Sequence, residues 1–319
     1  MREAYQLGLR IWTGYSNPFS RHDFTLAQLF ACLVMREMLK LSYRKAEAML
    51  RDSPHWLADI GLKNAPDHNT LWRGFGVLVQ HRKVNRMLDL LARLFAQERQ
   101  LKLSIKPLTI DSTCYEQRHR SRHYDRVCRK MHLRDGEKYA NRREISAKQR
   151  EAETNRSRSI KVRHMPKLAL AVAAGCHLIV AARAHIGNGS DSVDFDPLLY
   201  QSWRRARVKA VVADAGYDSE KNHRIARLDM GVRSIIPPKI GRQTHKLPAG
   251  RFRRLMKQRF NRKADKRVYG QRAQSETVNS MMKRNFGDAL RSILDKRRGQ
   301  EMLLRAVTHN LLLWCSIGG

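Results

Sequence analysis

Residues 208–219 read Val-Lys-Ala-Val-Val-Ala-Asp-Ala-Gly-Tyr-Asp-Ser. The near-continuous apolar run from Val208 to Ala213 predicts a strand buried on both faces, because a strand covered by two layers has no solvent-facing side. Asp214 follows this strand directly. A carboxylate there is costly unless it is hydrated, paired or bound to a metal ion. This stretch predicts the centre of an α/β fold and marks Asp214 as a candidate functional residue.

The segments around this strand predict a mixed sheet covered by helices. Pro107 to Thr113 is a β-prone run, and the runs 167–174 and 177–184, joined at Gly175, predict a hairpin. The other predicted elements are a helix at 193–206, a strand at 232–236 and helices at 271–285 and 301–315. This mixed α/β order resembles an RNase H-like core.

The first hundred residues predict a different kind of structure. Residues 21–100 read as short helices, the first of them with an apolar side between Phe24 and Met35. Ser42 is a predicted N-cap, and Asn69 or Thr70 a second one before a helix at 71–78. Short helices joined by tight turns are typical of a helix-turn-helix-like DNA-binding unit, although a helical bundle that only supports the next domain has the same pattern. We expect a helical DNA-binding region at 1–104 and an RNase H-like catalytic domain at 105–319.

The charge of the chain indicates its partner. Sixty-three Lys and Arg against 29 Asp and Glu give a net charge of +34, and 42% hydrophobic residues allow a real core. Such a field favours nucleic acid, because each phosphate contact releases counterions. Residues 115–165 are dense in Arg and Lys, and we interpret them as a basic insertion that clamps DNA rather than as a solvated loop. Five scattered cysteines, no long apolar stretch and no signal-peptide pattern predict a cytoplasmic, nucleoid-associated protein without a membrane partner.

Three acids are set apart by their context. Asp111 is expected at the end of a strand in Thr-Ile-Asp-Ser-Thr, Asp214 ends the buried strand, and Glu276 lies on the helix predicted at 271–285. Carboxylate oxygens suit Mg²⁺ or Mn²⁺ better than zinc. Taken singly, each acid also has an ordinary role: a turn cap for Asp111 and Asp214, and a helix-surface ion pair for Glu276.

The joint arrangement resembles a known family. Residues 269–283 have the spacing Tyr-x2-Arg-x3-Glu-x6-Lys, which resembles the third catalytic block of the insertion-sequence-4 superfamily of DDE transposases. Residues 214–219 and 110–113 resemble its second and first blocks, and 187–192 resemble its Gly-Asn-x-x-Asp-Ser element. The N-terminal run, including residues 66–71, is similar to the helical leader of the insertion-sequence-5 group.

This resemblance implies a function and assigns residues to it. It implies Asp111, Asp214 and Glu276 as catalytic ligands of two Mg²⁺ or Mn²⁺ ions, ranked above the neighbouring Asp191 and Asp218. The DNA-handling residues that it implies are Tyr269, Arg272 and Lys283. The expected enzyme cleaves DNA at the terminal inverted repeats of an insertion element and transfers the strands into target DNA, as a dimer or larger assembly on double-stranded DNA.

Two alternatives stay open from the sequence. One is a catalytically inactive, domesticated DNA-binding protein of transposase descent. The other is an RNase H-like nuclease that cleaves without joining. Inverted repeats flanking the coding region would favour the transposase.

Overall fold

The computed structural model describes residues 1–12, 14–15, 19, 22–98, 104–105, 107–118, 165–187, 189–239 and 247–316. Most of the basic insertion expected at 115–165, including 119–164, lies outside these residues. Among those described, no helix combines the length and apolar character needed to cross a membrane.

The N-terminal region is helical, as predicted. Its helices are α1 (Arg2–Ile11), α2 (Leu26–Met38), α3 (Tyr43–Arg51), α4 (Pro54–Ala58), α5 (His68–Leu78) and α6 (His81–Glu98). The sequence predicted that α2 has one apolar side, but every residue from Leu26 to Glu37 is buried. α2 is therefore surrounded by other elements instead of lying on a surface.

The caps of these helices follow local hydrogen bonding. Ser42 caps α3 as predicted, since its side chain accepts from the Lys45 backbone N–H at 3.2 Å. The cap predicted at Asn69 or Thr70 is wrong. Asp67 caps α5 instead, and its Oδ1 accepts from the backbone N–H groups of both residues. The helix begins earlier because a carboxylate can satisfy two of the N–H groups that a helix start leaves free.

The central sheet has the mixed topology expected of an RNase H-like core. Its strands are β2 (Leu108–Cys114), β4 (Pro166–Ala173), β5 (Leu178–Ile186), β7 (Ala210–Ala213) and β8 (Arg233–Ile235), in the order β5-β4-β2-β7-β8. β2, β4 and β5 are antiparallel neighbours, whereas β7 runs parallel to both β2 and β8. Two small parallel pairs lie outside it: β1 (Ser104–Ile105) with β6 (Arg207–Val208), and β3 (Glu116–Gln117) with β9 (Ala289–Leu290). The predicted hairpin is confirmed in β4 and β5, and the predicted buried strand in β7.

The later helices differ in how well the sequence predicted them. They are α7 (Ser192–Arg205), α8 (Glu220–Arg224), α9 (Arg251–Arg259), α10 (Lys263–Tyr269), α11 (Ala273–Phe286) and α12 (Asp295–Cys315). α7 and α11 match the predicted helices closely. α12 begins six residues earlier than its predicted start at 301, and α8, α9 and α10 were not predicted.

The N-terminal helices share a core with the rest of the chain. One cluster of buried side chains joins residues of α1 to α6 with residues of β4, α11 and α12. A second cluster lies under the sheet and α7. The helices before residue 104 are thus packed against the sheet-containing part instead of forming a separate core.

Buried ion pairs reinforce this junction. Arg305 of α12 and Glu37 of α2 are both fully buried, and their side chains meet at 2.9 Å. Arg305 also bonds Glu301 at 3.0 Å and the backbone carbonyl of Gly287 at 2.7 Å. Arg291 reaches the second Glu37 oxygen at 2.5 Å. These contacts satisfy charges that would otherwise be costly in the interior.

Candidate active site

Asp111 lies in β2, and Asp214 directly follows the neighbouring strand β7 at the same level. The last residue pair between β2 and β7 is Ile110 with Ala213, so Asp111 and Asp214 are the residues that directly follow this pair in the sequence. Adjacent strands lie about 4.8 Å apart. Both acids therefore stand at the edge where the parallel pairing stops.

The prediction that Asp111 ends its strand is wrong in one respect. β2 continues to Cys114, since β4 still pairs with Asp111 through Leu170 and with Cys114 through Lys167. Only β7 has ended at this level. Asp111 is held by a strand on one side and open to the Asp214 turn on the other.

Asp111 is strongly affected by its surroundings. Burial raises the pKa of Asp111 to about 6, with smaller opposing effects of a backbone hydrogen bond at Ser112 and of Arg272. The charges of Asp214 and Glu276 raise this pKa further, which requires both acids to be near. A bound cation would remove this penalty, because an opposite charge favours the ionised form.

Asp214 is held by the turn that follows it. Its Oδ1 accepts from the Gly216 backbone N–H at 2.8 Å and caps the short 3₁₀ turn Ala215–Tyr217. A Cβ on Gly216 would lie 2.9 Å from this oxygen, closer than ordinary contact. The glycine therefore lets the carboxylate fold back onto the turn.

Glu276 approaches the two strands from α11. Arg272, Glu276, Asn279 and Lys283 lie at offsets of four, seven and eleven residues, which places them on one face of the helix region. Glu276 forms an ion pair with Arg272, and the Asn279 amide donates to Asp111 Oδ2 at 3.2 Å. This face of α11 is thereby turned toward β2.

A cleft of about 570 Å³ separates this face of α11 from the end of β2. Its lining residues are Asp111, Ser112, Thr113, Glu276, Asn279, Ser280, Lys283, Arg284, Gly287 and Asp288. Asp214 is not among them. The cleft joins acids at one end to Lys283 and Arg284 at the other, a suitable combination for a phosphate chain that passes a cation site.

Tyr269 and Lys283 lie toward different ends of this face. Tyr269 is half-buried, and its ring packs against Phe260 with centroids 5.0 Å apart. Burial raises the pKa of Tyr269, Arg272 lowers it, and the charges of Asp214 and Glu276 raise it again. Tyr269 is thus near the acids, whereas the Lys283 ammonium lies 5.7 Å from the centre of the Tyr115 ring.

The donor set suits a hard divalent cation, although the acids are not arranged as a finished ligand shell. In the part of the chain that is described, no group of three or more His, Cys, Asp or Glu side chains is placed to hold a metal ion. Arg272 neutralises Glu276, whereas Asp111 remains desolvated beside two other acids. Carboxylate oxygens are what Mg²⁺ and Mn²⁺ prefer, so these residues fit such ions once Glu276 leaves Arg272.

Comparison with known families decides the identity. Residues 105–311 match the transposase DDE domain, and residues 13–75 match the transposase domain DUF772. The chain belongs to the DDE transposases. The first match covers more than half of the chain, and both matches agree with the expected family, although neither assigns the insertion-sequence-4 or insertion-sequence-5 group. No curated protein and no solved structure matches the chain.

Membership of this family indicates the partner and the cofactor class of this transposase. DDE transposases act on DNA, and they generally use divalent metal ions. The mixed five-stranded sheet agrees with the RNase H-like core of such enzymes.

The two neighbouring acids of the transposase are already occupied by protein groups. Asp191 accepts from Ser112 Oγ at 2.7 Å and pairs with the buried ammonium of Lys167. Although burial disfavours its charged form, the neighbouring His223 and hydrogen bonds from Arg253 hold the pKa of Asp218 well below its usual range. Both acids are better suited to fixing loops than to binding a cation.

Sequence reasoning missed the residues that support the acids. Asn279, Ser112 and Lys167 were not singled out, because an amide, a hydroxyl and a lysine are common on surfaces. The helical spacing from Glu276 to Asn279 was the available signal, since residues three apart share a helix face. The partners of Ser112 and Lys167 had no such signal, because Asp191 is distant from both along the chain.

Proposed function

We propose that this transposase cuts DNA at the ends of an insertion element and joins the freed 3′ hydroxyls to target DNA. Asp111, Asp214 and Glu276 would hold two Mg²⁺ or Mn²⁺ ions. The observation that carries the proposal is the pairing of Ile110 with Ala213, because it brings Asp111 and Asp214 side by side opposite the Glu276 face of α11. When bound, two such ions activate the attacking oxygen and stabilise the leaving oxygen at a phosphodiester.

The side chains around the acids would orient the DNA. Arg272 and Lys283 are suited to phosphate oxygens, since both carry fixed positive charge. The two residues are eleven positions apart, or about 16 Å at the rise of an α-helix. Tyr269, beside Arg272, can stack on a base or donate to a phosphate. Water is the nucleophile for cutting and a DNA 3′ hydroxyl for joining, so no protein nucleophile is needed.

The N-terminal helices are our candidate for recognising the element ends. Asn69, Trp72, Arg73 and Val77 are all exposed on α5, and their spacing places them on one face. The Arg297 guanidinium lies 5.1 Å from the centre of the Trp72 ring. An amide, a guanidinium and apolar groups on one helix face suit the base edges of a major groove.

The assembly and location follow from this activity. Cutting two ends together needs at least two copies of the chain on DNA. The net charge of +34 supports a cytoplasmic protein associated with the nucleoid, since that charge calls for a polyanionic partner.

A cleavage assay on DNA that carries the flanking ends tests the proposal. Asp111→Asn, Asp214→Asn and Glu276→Gln should each abolish Mg²⁺-dependent nicking, while binding to the ends stays within a few-fold of the wild type. Asp229→Asn is the matched control, because Asp229 is exposed and is not among the residues that line the cleft, so this variant should cut normally.

The outcomes separate the proposal from its rivals. Normal nicking by any of the three variants removes that residue from the site. A wild-type protein that binds the ends without cutting them is a domesticated DNA-binding protein. Cutting that never yields joined products identifies a nuclease.

A further inference from the structure

Among the described cleft residues, Asn279 is the one whose side-chain amide donates a hydrogen bond to an acid of the candidate metal site. It lies on α11 one turn after Glu276, and its Nδ2 donates to Asp111 Oδ2 at 3.2 Å. The side chain is only 8% exposed. Its carbonyl Oδ1 is buried and accepts no hydrogen bond from any described group.

A second buried asparagine, Asn310, has both ends of its amide paired and serves as the comparison. Asn310 donates to the Ile179 carbonyl at 2.7 Å and accepts from the Ile179 backbone N–H at 2.9 Å, so both ends of its amide are satisfied. An unpaired buried acceptor is destabilising. The Asn279 amide cannot escape this penalty by rotating through 180°, because its oxygen would then face the Asp111 carboxylate.

We propose that Asn279 is a positioning residue for Asp111, which holds one carboxylate oxygen and leaves the other available to the cation. The inference rests on the proposed function, in which Asp111 is a metal ligand. Hydrogen-bond partners outside the ligand shell orient the ligands of metal sites and affect metal affinity strongly.

The neutrality of the amide suits this role. A lysine or arginine at residue 279 would fix Asp111 equally well, yet its charge would compete with the cation, as Arg272 does at Glu276. An amide orients the carboxylate and leaves its negative charge intact. The unpaired Oδ1 is then a cost in stability that accompanies this orientation.

Mn²⁺ binding to the full-length protein tests the inference without relying on activity. Free Mn²⁺ is measured by electron paramagnetic resonance during titration of the wild type, of Asn279→Leu and of Asn310→Leu. Asn279→Leu should weaken Mn²⁺ binding at least 10-fold and lower the melting temperature less than Asn310→Leu does. Asn310→Leu should melt earlier and bind Mn²⁺ as the wild type does, because its amide serves only the packing of α12 on β5.

Each outcome decides the inference. Wild-type Mn²⁺ affinity in Asn279→Leu overturns it and leaves the proposed function intact. A wild-type protein that binds no Mn²⁺ overturns both. If Asn279→Leu does not fold, Asn279→Ala replaces it, since alanine favours helix and also removes the donor; the same 10-fold loss is expected.

Discussion

Replacing Glu37 by glutamine tests whether the N-terminal helices and the sheet form one cooperative unit. Glu37 is fully buried in α2 and contacts Arg305 of α12 at 2.9 Å and Arg291 at 2.5 Å. The amide preserves the volume of the side chain and removes its charge. Three buried guanidinium groups, those of Arg305, Arg291 and Arg36, then lose a counter-charge.

The expected loss follows from what remains around those groups. Removing one partner of a buried ion pair costs about 3–5 kcal/mol. Arg305 keeps Glu301 at 3.0 Å and the carbonyls of Gly287 and Ala289, so we expect the lower end, about 3 kcal/mol. For a chain of this size each kcal/mol lowers the melting temperature by about 2 °C, which gives roughly 6 °C in total.

Urea unfolding followed by circular dichroism measures this loss, and calorimetry measures the melting temperature. Asp59→Asn is the matched control, because Asp59 pairs with Arg2 at the surface and such pairs contribute at most about 1 kcal/mol. A loss for Glu37→Gln no larger than the control would refute the buried-pair reasoning. Two separate transitions, of which only one shifts, would show that the N-terminal helices unfold independently of the sheet.

Three further predictions concern the turn after Asp214, the exposed face of α5 and the stability of the protein at acidic pH. Gly216→Ala places a Cβ 2.9 Å from Asp214 Oδ1, so Mg²⁺-dependent nicking should fall about 10- to 100-fold with little change in melting temperature. Gly189→Ala is the control, because a Cβ at residue 189 meets open space, and this variant should nick normally. Equal nicking by both variants would contradict the role of the turn. Arg73→Ala should reduce the preference for element ends over random DNA in competitive binding by about 1–3 kcal/mol, and an equal loss on both DNAs would make Arg73 a phosphate contact instead. Although burial opposes its ionisation, Arg305 holds the pKa of Glu301 below its ordinary 4.5. The contribution of Glu301 to the unfolding free energy is therefore complete above pH 4.5 and is lost as the pH falls through the pKa of the folded state. Glu301→Gln should reduce the decrease of the unfolding free energy at acidic pH, and an unchanged decrease would assign it to other groups.

The sequence predicted the sheet well where local pattern decides structure. The apolar run before Asp214 and the two runs around Gly175 became β7 and the β4–β5 hairpin, since burial on both faces leaves its mark on consecutive residues. α9 and α10 escaped prediction because their many basic residues hide the few apolar contacts, such as Met256, that fold them against the sheet.

The position of a side chain relative to distant elements was harder to predict. Asp111 lies within β2 instead of at its end, since the lengths of β4 and β7 decide where pairing stops. Glu37 sits in a helix that reads as amphipathic, yet its partner is 268 residues away. Asn279 likewise depends on Asp111, 168 residues earlier. No local pattern encodes such contacts.

The shared core has a consequence for how this transposase would choose its cutting position. α5 packs on α2, and α2 is joined through Glu37 and Arg305 to the segment that follows α11. Lys40, just after α2, also donates to the Arg284 carbonyl near the end of α11 at 2.8 Å. The face of α5 that we propose to recognise the element ends and the cleft between α11 and β2 that we propose to cut DNA are therefore connected through packed helices and buried charges instead of a linker. In such an arrangement, the spacing between the recognised sequence and the cut bond is set by the geometry of the folded chain.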